Sequence, residues 1–360
     1  MARPLVALLL VVTSCAAYAE EQVPLYREIK DWVVACDNIR SCTAIGAVPM
    51  RDDTGARLTF SLRIIREAGP TGVLRVGMFS YNPATGKPLL DGKPLRTSLA
   101  AGELKEGDVP EVLSAAGDQA RALIAELRNG NELTLPTQDG QSFVSLAGMS
   151  AALLLMDSVQ GRVGTVTALV RQGEASASTV TPAPPRPTLP PWYPPVALTP
   201  PQAQHIRDVV MATTRASWQQ DQLDDTPAEG EAFALSDRQA LVIIKTDCAA
   251  YNCSYRLYET PIAHPEQARP ARIDAVPRMP DMLPNGSIRF DPVSGELSSH
   301  ELAMGMGGCG TSLRWQYDGS AFRLTRAAQL TLCVGLNEAY WPVLWRSPAL
   351  PAVVGPAHVE

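Results

Sequence analysis

The stretch DWVVACDNIRSC, Asp31 to Cys42, sets two cysteines six positions apart behind a short apolar run. Two thiols at that spacing can hold a metal, one can attack a substrate as its thiolate, or the pair can oxidise to a disulfide. The chain carries seven cysteines: Cys15, Cys36, Cys42, Cys248, Cys253, Cys309 and Cys333. A zinc site would want Cys-x-x-Cys or mixed Cys/His clusters. The closest spacings here are Cys-x5-Cys and Cys-x4-Cys, and His205, His264, His300 and His358 are scattered, with only His300 near a later cysteine. No metal is therefore expected. The choice between thiol and disulfide turns on the compartment.

The first residues, MARPLVALLLVVTSCAAYAEEQ, have the layout of a secretory signal peptide. Arg3 supplies charge, Leu5 to Val12 an apolar core, and Ala17-Tyr18-Ala19 a small-x-small cleavage site before Glu20. Eight apolar residues are too few for a membrane anchor, which needs about 20. Export to the periplasm is the expectation, and no transmembrane helix is expected. VTSC, Val12 to Cys15, also resembles a lipobox, so lipidation of Cys15 and anchoring to the outer membrane is the alternative. Six cysteines remain after residue 19, an even number in an exported chain, which reads as disulfides. Six allow about 15 pairings. Proximity favours Cys36–Cys42, Cys248–Cys253 and Cys309–Cys333, and thiols so held offer no nucleophile.

Other chemistry is thin. No G-x-S-x-G elbow, S-x-x-K or H-E-x-x-H occurs, and Gly148-Met149-Ser150-Ala151-Ala152 lacks the last glycine of the elbow. Carboxylate pairs such as Asp224/Asp225 and Glu296/Glu301 can be named, but sequence does not give their separation. GMGGCG, Gly305 to Gly310, lacks the lysine of a phosphate loop. The acidic run Asp221 to Glu231 lacks the ordered ligand spacing of a calcium loop. Trp315, Tyr317, Trp341 and Trp345 either line a sugar- or peptide-binding face or belong to a core. No cofactor is expected.

The net charge of the 360-residue chain is −6. Removing residues 1–19 takes away one arginine and no acid, which makes it −7 and argues against nucleic acid and anionic membrane surfaces as partners. Arginine outnumbers lysine 26 to 5. Anion recognition is one reading of that excess and genome composition the other; the arginines are dispersed along the chain.

The elements that must position these residues are mostly strands. LTFSLRII and VLRVGMF alternate polar and apolar, and Asp91-Gly92 and Asp139-Gly140 mark hairpins. Asp108 to Gly130 predicts a helix, Asp108 capping it and Gly117 weakening its middle. Met149 to Gly161 predicts a second, capped by Ser150, and Thr165 to Val170 a closing strand. Ten of the 31 prolines crowd into Ala175 to Pro201, a semi-rigid spacer on which Trp192 and Tyr193 would be anchors if it folded back. A helix capped by Thr199 then precedes the strands ALVIIKTDC, CSYRLYET, GSIRF, GELSSHEL, TSLRWQY and AFRLTRAAQL. The fold class expected is mainly β with some α: two disulfide-stapled β-sandwich-like domains, each with one or two packed helices, joined by a proline-rich linker. The expected division is signal peptide 1–19, N-terminal domain 20–174, linker 175–201, C-terminal domain 202–350 and flexible tail 351–360.

DWVVACDN with a cysteine six residues on, LDGKP, ELRNGNELTL, SLAGMSAAL and the order GCG…W-x-Y-D-G-x-x-F-x-L…C…W-P together resemble the bacterial family catalogued as domain of unknown function 1176. The N-terminal half is also similar to invasion-associated locus B proteins through Ser145-Leu146-Ala147-Gly148-Met149, with Met149 where those relatives show Phe. That second resemblance implies an exported β-sandwich and not an invasion role, since the relatives' central cysteine pair has no counterpart here. The function expected is an exported, non-catalytic envelope protein that binds another envelope protein or a glycan. A periplasmic hydrolase without a recognisable motif and an outer-membrane lipoprotein tether built on Cys15 are the alternatives.

Overall fold

The computed structural model describes residues 22–47, 58–102, 110–222, 227–305 and 308–347. Cys15, the Ala19/Glu20 cleavage site, Asp108, Asp224/Asp225 and the tail 351–360 lie outside the described residues.

The N-terminal half contains β1 (Leu25–Ile29), β2 (Trp32–Cys36), β3 (Cys42–Gly46), β4 (Leu58–Thr59), β5 (Ser61–Arg66), β6 (Leu74–Phe79), β7 (Leu89–Leu90), β8 (Lys93–Pro94), β9 (Ala100–Ala101), β10 (Glu111–Ala116), α1 (Gly117–Leu127), β11 (Glu132–Thr137), β12 (Gly140–Ser145) and α2 (Met149–Val159). They form a seven-stranded sheet, β1-β2-β3-β5-β6-β10-β9, and a five-stranded sheet, β4-β12-β11-β7-β8. The C-terminal half contains α3 (Pro200–Trp218), β13 (Glu229–Ala234), β14 (Gln239–Cys248), β15 (Cys253–Pro261), β16 (Arg269–Pro270), β17 (Ser287–Asp291), β18 (Glu296–Leu302), β19 (Gly310–Tyr317), β20 (Phe322–Leu330) and β21 (Val343–Arg346). Its sheets are β13-β14-β15-β16 and β17-β18-β19-β20-β21. The pairings between these strands are antiparallel except β4 with β12. The chain is thus mainly β, with three α-helices among the described residues.

The run WVVAC explains how the halves meet. A strand buried on both faces reads as continuously apolar rather than alternating. Every residue of β2 is buried. Trp32 and Val34 face a core that Leu62, Ile64, Met78, α1 and α2 complete. Val33 faces the other way and joins Ile45 and Phe79 against Leu330, Leu336 and Trp341 of the C-terminal half. β14 repeats the device: Leu241 and Ile243 pack towards Phe290, Leu313 and Trp315, and Val242 and Ile244 pack on Ile206, Val210 and Trp218 of α3. Burying each such side chain stabilises the fold by about 1.5–3 kcal/mol.

Three disulfides join Cys36 to Cys42, Cys248 to Cys253 and Cys309 to Cys333, closing hairpin ends. The capping box at Thr199 and Gln202, with prolines in the first turn, starts α3 as expected. Asp91 and Gly92 both hold positive φ in the β7–β8 turn.

Three expected elements differ. Glu111–Ala116 is strand and not helix, because it pairs with β6 and fills the sheet; α1 begins only at Gly117. Ser150 does not cap α2. Gly148 does, with φ 99°, and a Cβ there would stand 2.2 Å from the Ile29 carbonyl oxygen. Ser150 Oγ instead donates to the Arg128 carbonyl oxygen at 2.7 Å. Thr165 to Val170 is a run of turns and not a strand, since the Asp157 carboxylate accepts from the Leu169 and Val170 amides at 2.6 and 3.1 Å and bends the chain around itself. Along the proline-rich segment Trp192 is buried, edge-on to Phe290 and Tyr317, and Tyr193 is exposed.

Candidate functional site: an arginine row around Glu338

The four aromatics do not share an exposed face. Trp315, Tyr317 and Trp341 are buried, and Trp345 is half-buried with its indole N–H on the Leu324 carbonyl oxygen at 3.0 Å. Alternation along β19 sends Trp315 and Tyr317 into the core, where apolar rings are worth more than in water. They are therefore corrected from ligand-facing to core residues. Trp315 and Trp341 each donate their indole N–H at 2.8 Å to a carbonyl oxygen, of Asp274 and Leu336 respectively.

The polar groups the structure does gather lie on the opposite face of the same sheet. His300 on β18 pairs with Ser312 on β19. Arg314 on β19, Arg326 on β20 and Arg346 on β21 stand directly opposite one another on three adjacent strands. Like charges in cross-strand register are destabilising unless acids or anions sit between them. Glu338 does so. It lies on the one-turn 3-10 segment Glu338–Tyr340, which Asn337 caps. The Cys309–Cys333 bridge fixes the start of that loop beside the first residue of β19. Gly308 lets the two backbones meet, since a Cβ there would fall 2.4 Å from Gly335 Cα. Gly308 of GMGGCG thus has a packing role, and a strand follows it.

Glu338 Oε1 accepts from Ser312 Oγ, from Arg326 at 3.0 Å and from Arg314 at 3.4 Å. Its Oε2 lies 3.2 Å from His300 Nδ1, close enough for an ion pair although the ring nitrogen is not aligned for a hydrogen bond. The His300 ring stacks on Trp341 with centroids 5.4 Å apart. The His300 contact, opposed by burial and joined by Ser312, Arg326 and Arg314, holds the Glu338 carboxyl down to about 2. Burial lowers the Arg326 guanidinium; Glu338 pulls it back up, and Arg314 and Arg346 push it further down.

The third arginine of the row answers the question that DWVVACDNIRSC raises. Asp37 and Asn38 lie in the loop that Cys36 and Cys42 close. Asp37 Oδ2 accepts from Arg346 Nε at 2.6 Å, and its Oδ1 accepts from the Ile39 and Ser41 amides. Asn38 exchanges hydrogen bonds with the backbone of Arg346 at 2.8 and 3.0 Å, and its amide donates to the Leu344 carbonyl oxygen. The bridged loop is therefore a clasp between the halves and not only a staple. Burial raises the Asp37 carboxyl, with Arg346 pulling the other way.

Sequence reasoning placed His300 only by its distance from cysteines and passed over Ser312, Glu338 and the arginine row. Arg314 and Arg326 lie on two consecutive expected strands, but Arg346 lies beyond the last of them, so the sequence held no signal for the full row. Among the described residues no group of three His, Cys, Asp or Glu side chains is placed to hold a metal ion, and no helix is long and apolar enough to cross a membrane. Chemically the cluster is a clamp: one anionic carboxylate saturated by donors, with guanidinium nitrogens left over at the surface.

The chain is 30% identical over 345 residues to the uncharacterized protein YpfG of Escherichia coli K12, an alignment that covers 89% of this chain and 93% of that one. No solved structure matches it. The model of the family described as protein of unknown function, DUF1176, matches residues 26–348, so the chain belongs to the DUF1176 family.

Proposed function

We propose that this is an exported, non-catalytic protein of the bacterial envelope that binds a partner through the polar face of its C-terminal sheet. One observation carries the reading. The hydroxyl of Ser312 is spent on Glu338, and His300 faces the same carboxylate. Nucleophilic catalysis needs a base that takes the hydroxyl proton. Among the described residues the hydroxyl donates to a carboxylate held down to about 2, whereas the unspent groups are cationic donors suited to recognition. In this reading residues 1–19 are a signal peptide cleaved between Ala19 and Glu20. The mature chain is two β-rich units, 20–174 and 202–350, with 175–201 as connector, and it resides in the periplasm. The SLAGM segment supports a distant likeness to locus B proteins that carries no role with it.

The test is crosslinking and pull-down from intact cells, with a broad hydrolase panel run on the purified chain. A specific protein or glycan captured by the wild type, and lost with Arg314→Ala, supports binding. Turnover of any panel substrate that Ser312→Ala abolishes would overturn it in favour of a hydrolase, the reading that the His300–Glu338–Ser312 juxtaposition favours next. Palmitate labelling that disappears in Cys15→Ser would move the protein from soluble periplasm to a lipid anchor.

A further inference from the structure

We propose that the recess between Arg186, Arg326 and Arg346 is a binding site for a phosphate group. The inference deepens the binding reading above by naming the chemistry of what is bound. The recess has a volume of about 210 Å³ and is lined by Arg186, Thr325, Arg326, Val343, Arg346 and Ser347. Three of these six are arginines and none is an acid, on a chain whose net charge is −6.

The site is assembled from three places in the sequence. Arg326 and Arg346 face each other across β20 and β21. Arg186 arrives on the proline-rich segment, which Ser347 Oγ ties to the sheet by donating to the Pro187 carbonyl oxygen at 2.8 Å. Its neighbours leave hydrogen-bonding capacity over. Arg346 uses Nε on Asp37, which leaves both terminal nitrogens. Arg326 uses its two terminal nitrogens on Glu338 and Ser312, which leaves Nε. Arg186 is exposed and makes no hydrogen bond or ion pair among the described residues. Thr325 Oγ1 is buried without a partner, and an unmatched buried hydroxyl is costly unless something meets it.

An anion seated there relieves both the crowding of like charges and the unmatched hydroxyl. Guanidinium groups match phosphate oxygens in paired hydrogen bonds. Three of them converging from a strand pair and a crossing segment suit a group that presents three oxygens, where a planar carboxylate presents two. Pockets that engulf a whole small molecule run to about 300–1,000 Å³. This smaller recess takes the phosphate and leaves the rest of its carrier outside.

Isothermal titration of the purified full-length chain with inorganic phosphate, sodium acetate and glucose 1-phosphate tests the assignment. The expected result is saturable phosphate binding, weaker by about tenfold in Arg186→Ala, the worth of one charge-assisted hydrogen bond, with Arg186→Lys in between. Acetate should bind more weakly than phosphate. Arg186 is exposed and has no hydrogen bond or ion pair to lose among the described residues, so its variants should fold. Tighter binding of glucose 1-phosphate than of inorganic phosphate identifies an esterified ligand, and the reverse order identifies the free ion. A wild type that takes up no phosphate, or an Arg186→Ala that binds it unchanged, overturns the proposal. Phosphate binding without a captured cellular partner would sink the envelope-binding reading and leave the recess standing; capture without phosphate binding would do the opposite.

Discussion

Two carboxylates in this chain sit among arginines, and they titrate in opposite directions. Asp157, at the end of α2, has Arg66 and Arg162 about it and is 0% exposed. Glu338 has Arg314 and Arg326 about it, and its side chain is 26% exposed. Burial raises the Asp157 carboxyl, against the Leu169 and Val170 amides and both arginines. Glu338 is held down to about 2. At Asp157 burial outweighs the two amides and the arginines; at Glu338 His300, Ser312, Arg326 and Arg314 together outweigh burial. The Arg162 guanidinium gives its hydrogen bonds to the Glu67 and Gly69 carbonyl oxygens, Gln160 and Thr167 and none to the Asp157 carboxylate. Asp157 Oδ1 and Arg66 Nε and Nη1 have no hydrogen-bond partner. Around Glu338 the hydroxyl and both guanidinium groups point at the carboxylate itself. The sealed cluster is a tie that holds the turns after α2 against the sheet. The open one has matched its acid and keeps donors facing solvent, which is the condition for taking a ligand.

The comparison is broken most severely by Asp157→Ala. It leaves the Leu169 and Val170 amides without their acceptor and opens a hole beside Arg66, which burial, Arg162 and Arg121 lower to about 10. The expected loss is about 3–5 kcal/mol in urea unfolding, and Asp157→Asn, which keeps an acceptor for the two amides, should lose less. Arg346→Ala follows, at about 2 kcal/mol, because it leaves Asp37 buried without its cation. Amide exchange should then quicken at Ile39 and Ser41. Protection there equal to the wild type would show that the clasp does not depend on the charge.

Acid titration separates the two clusters by sign. The folded Glu338 carboxyl titrates near 2 against an ordinary value of 4.5. Its contribution is therefore fully present above pH 4.5 and lost as pH falls towards 2, at most about 3 kcal/mol. Asp157 is raised from 3.8, so its protonation favours the folded state and stability is regained as pH falls from its folded value towards 3.8. Thermal melts between pH 6 and pH 2.5 should show a flatter acid limb for Glu338→Gln than for the wild type and a steeper one for Asp157→Asn; parallel limbs would contradict the contrast. Replacing Cys36 and Cys42 together by serine should cost about 2 kcal/mol in the loop-entropy account, read as a lower urea midpoint. The smallest effect is that of Arg186→Ala, within about 0.5 kcal/mol on stability.

Much of the scaffold was legible because its signals are local. Asp-Gly at a hairpin, Thr-Pro-Pro-Gln at a helix start and cysteines five or six positions apart each act through neighbours in the chain. Glu111–Ala116 shows the limit. Its apolar spacing suits a helical stripe, yet a vacancy beside β6 takes it as strand, and only pairing partners distant in sequence could reveal that. The candidate site was less legible still. Arg314, Arg326 and Arg346 look dispersed until strand register lines them up, and a one-residue slip would turn any of them to the other face.

The sequence by itself determined a β-rich chain with three neighbouring cysteine pairs, its principal hairpins, the capped start of α3 and a proline-rich segment in the middle. Tertiary structure alone decided that the Cys36–Cys42 loop clasps the last strand, that Asp157 is sealed while Glu338 stays open, and that Arg186 meets Arg326 and Arg346. Turns, caps and short disulfides depend on groups a few bonds apart, whereas the environment of a charge depends on what the rest of the chain packs around it.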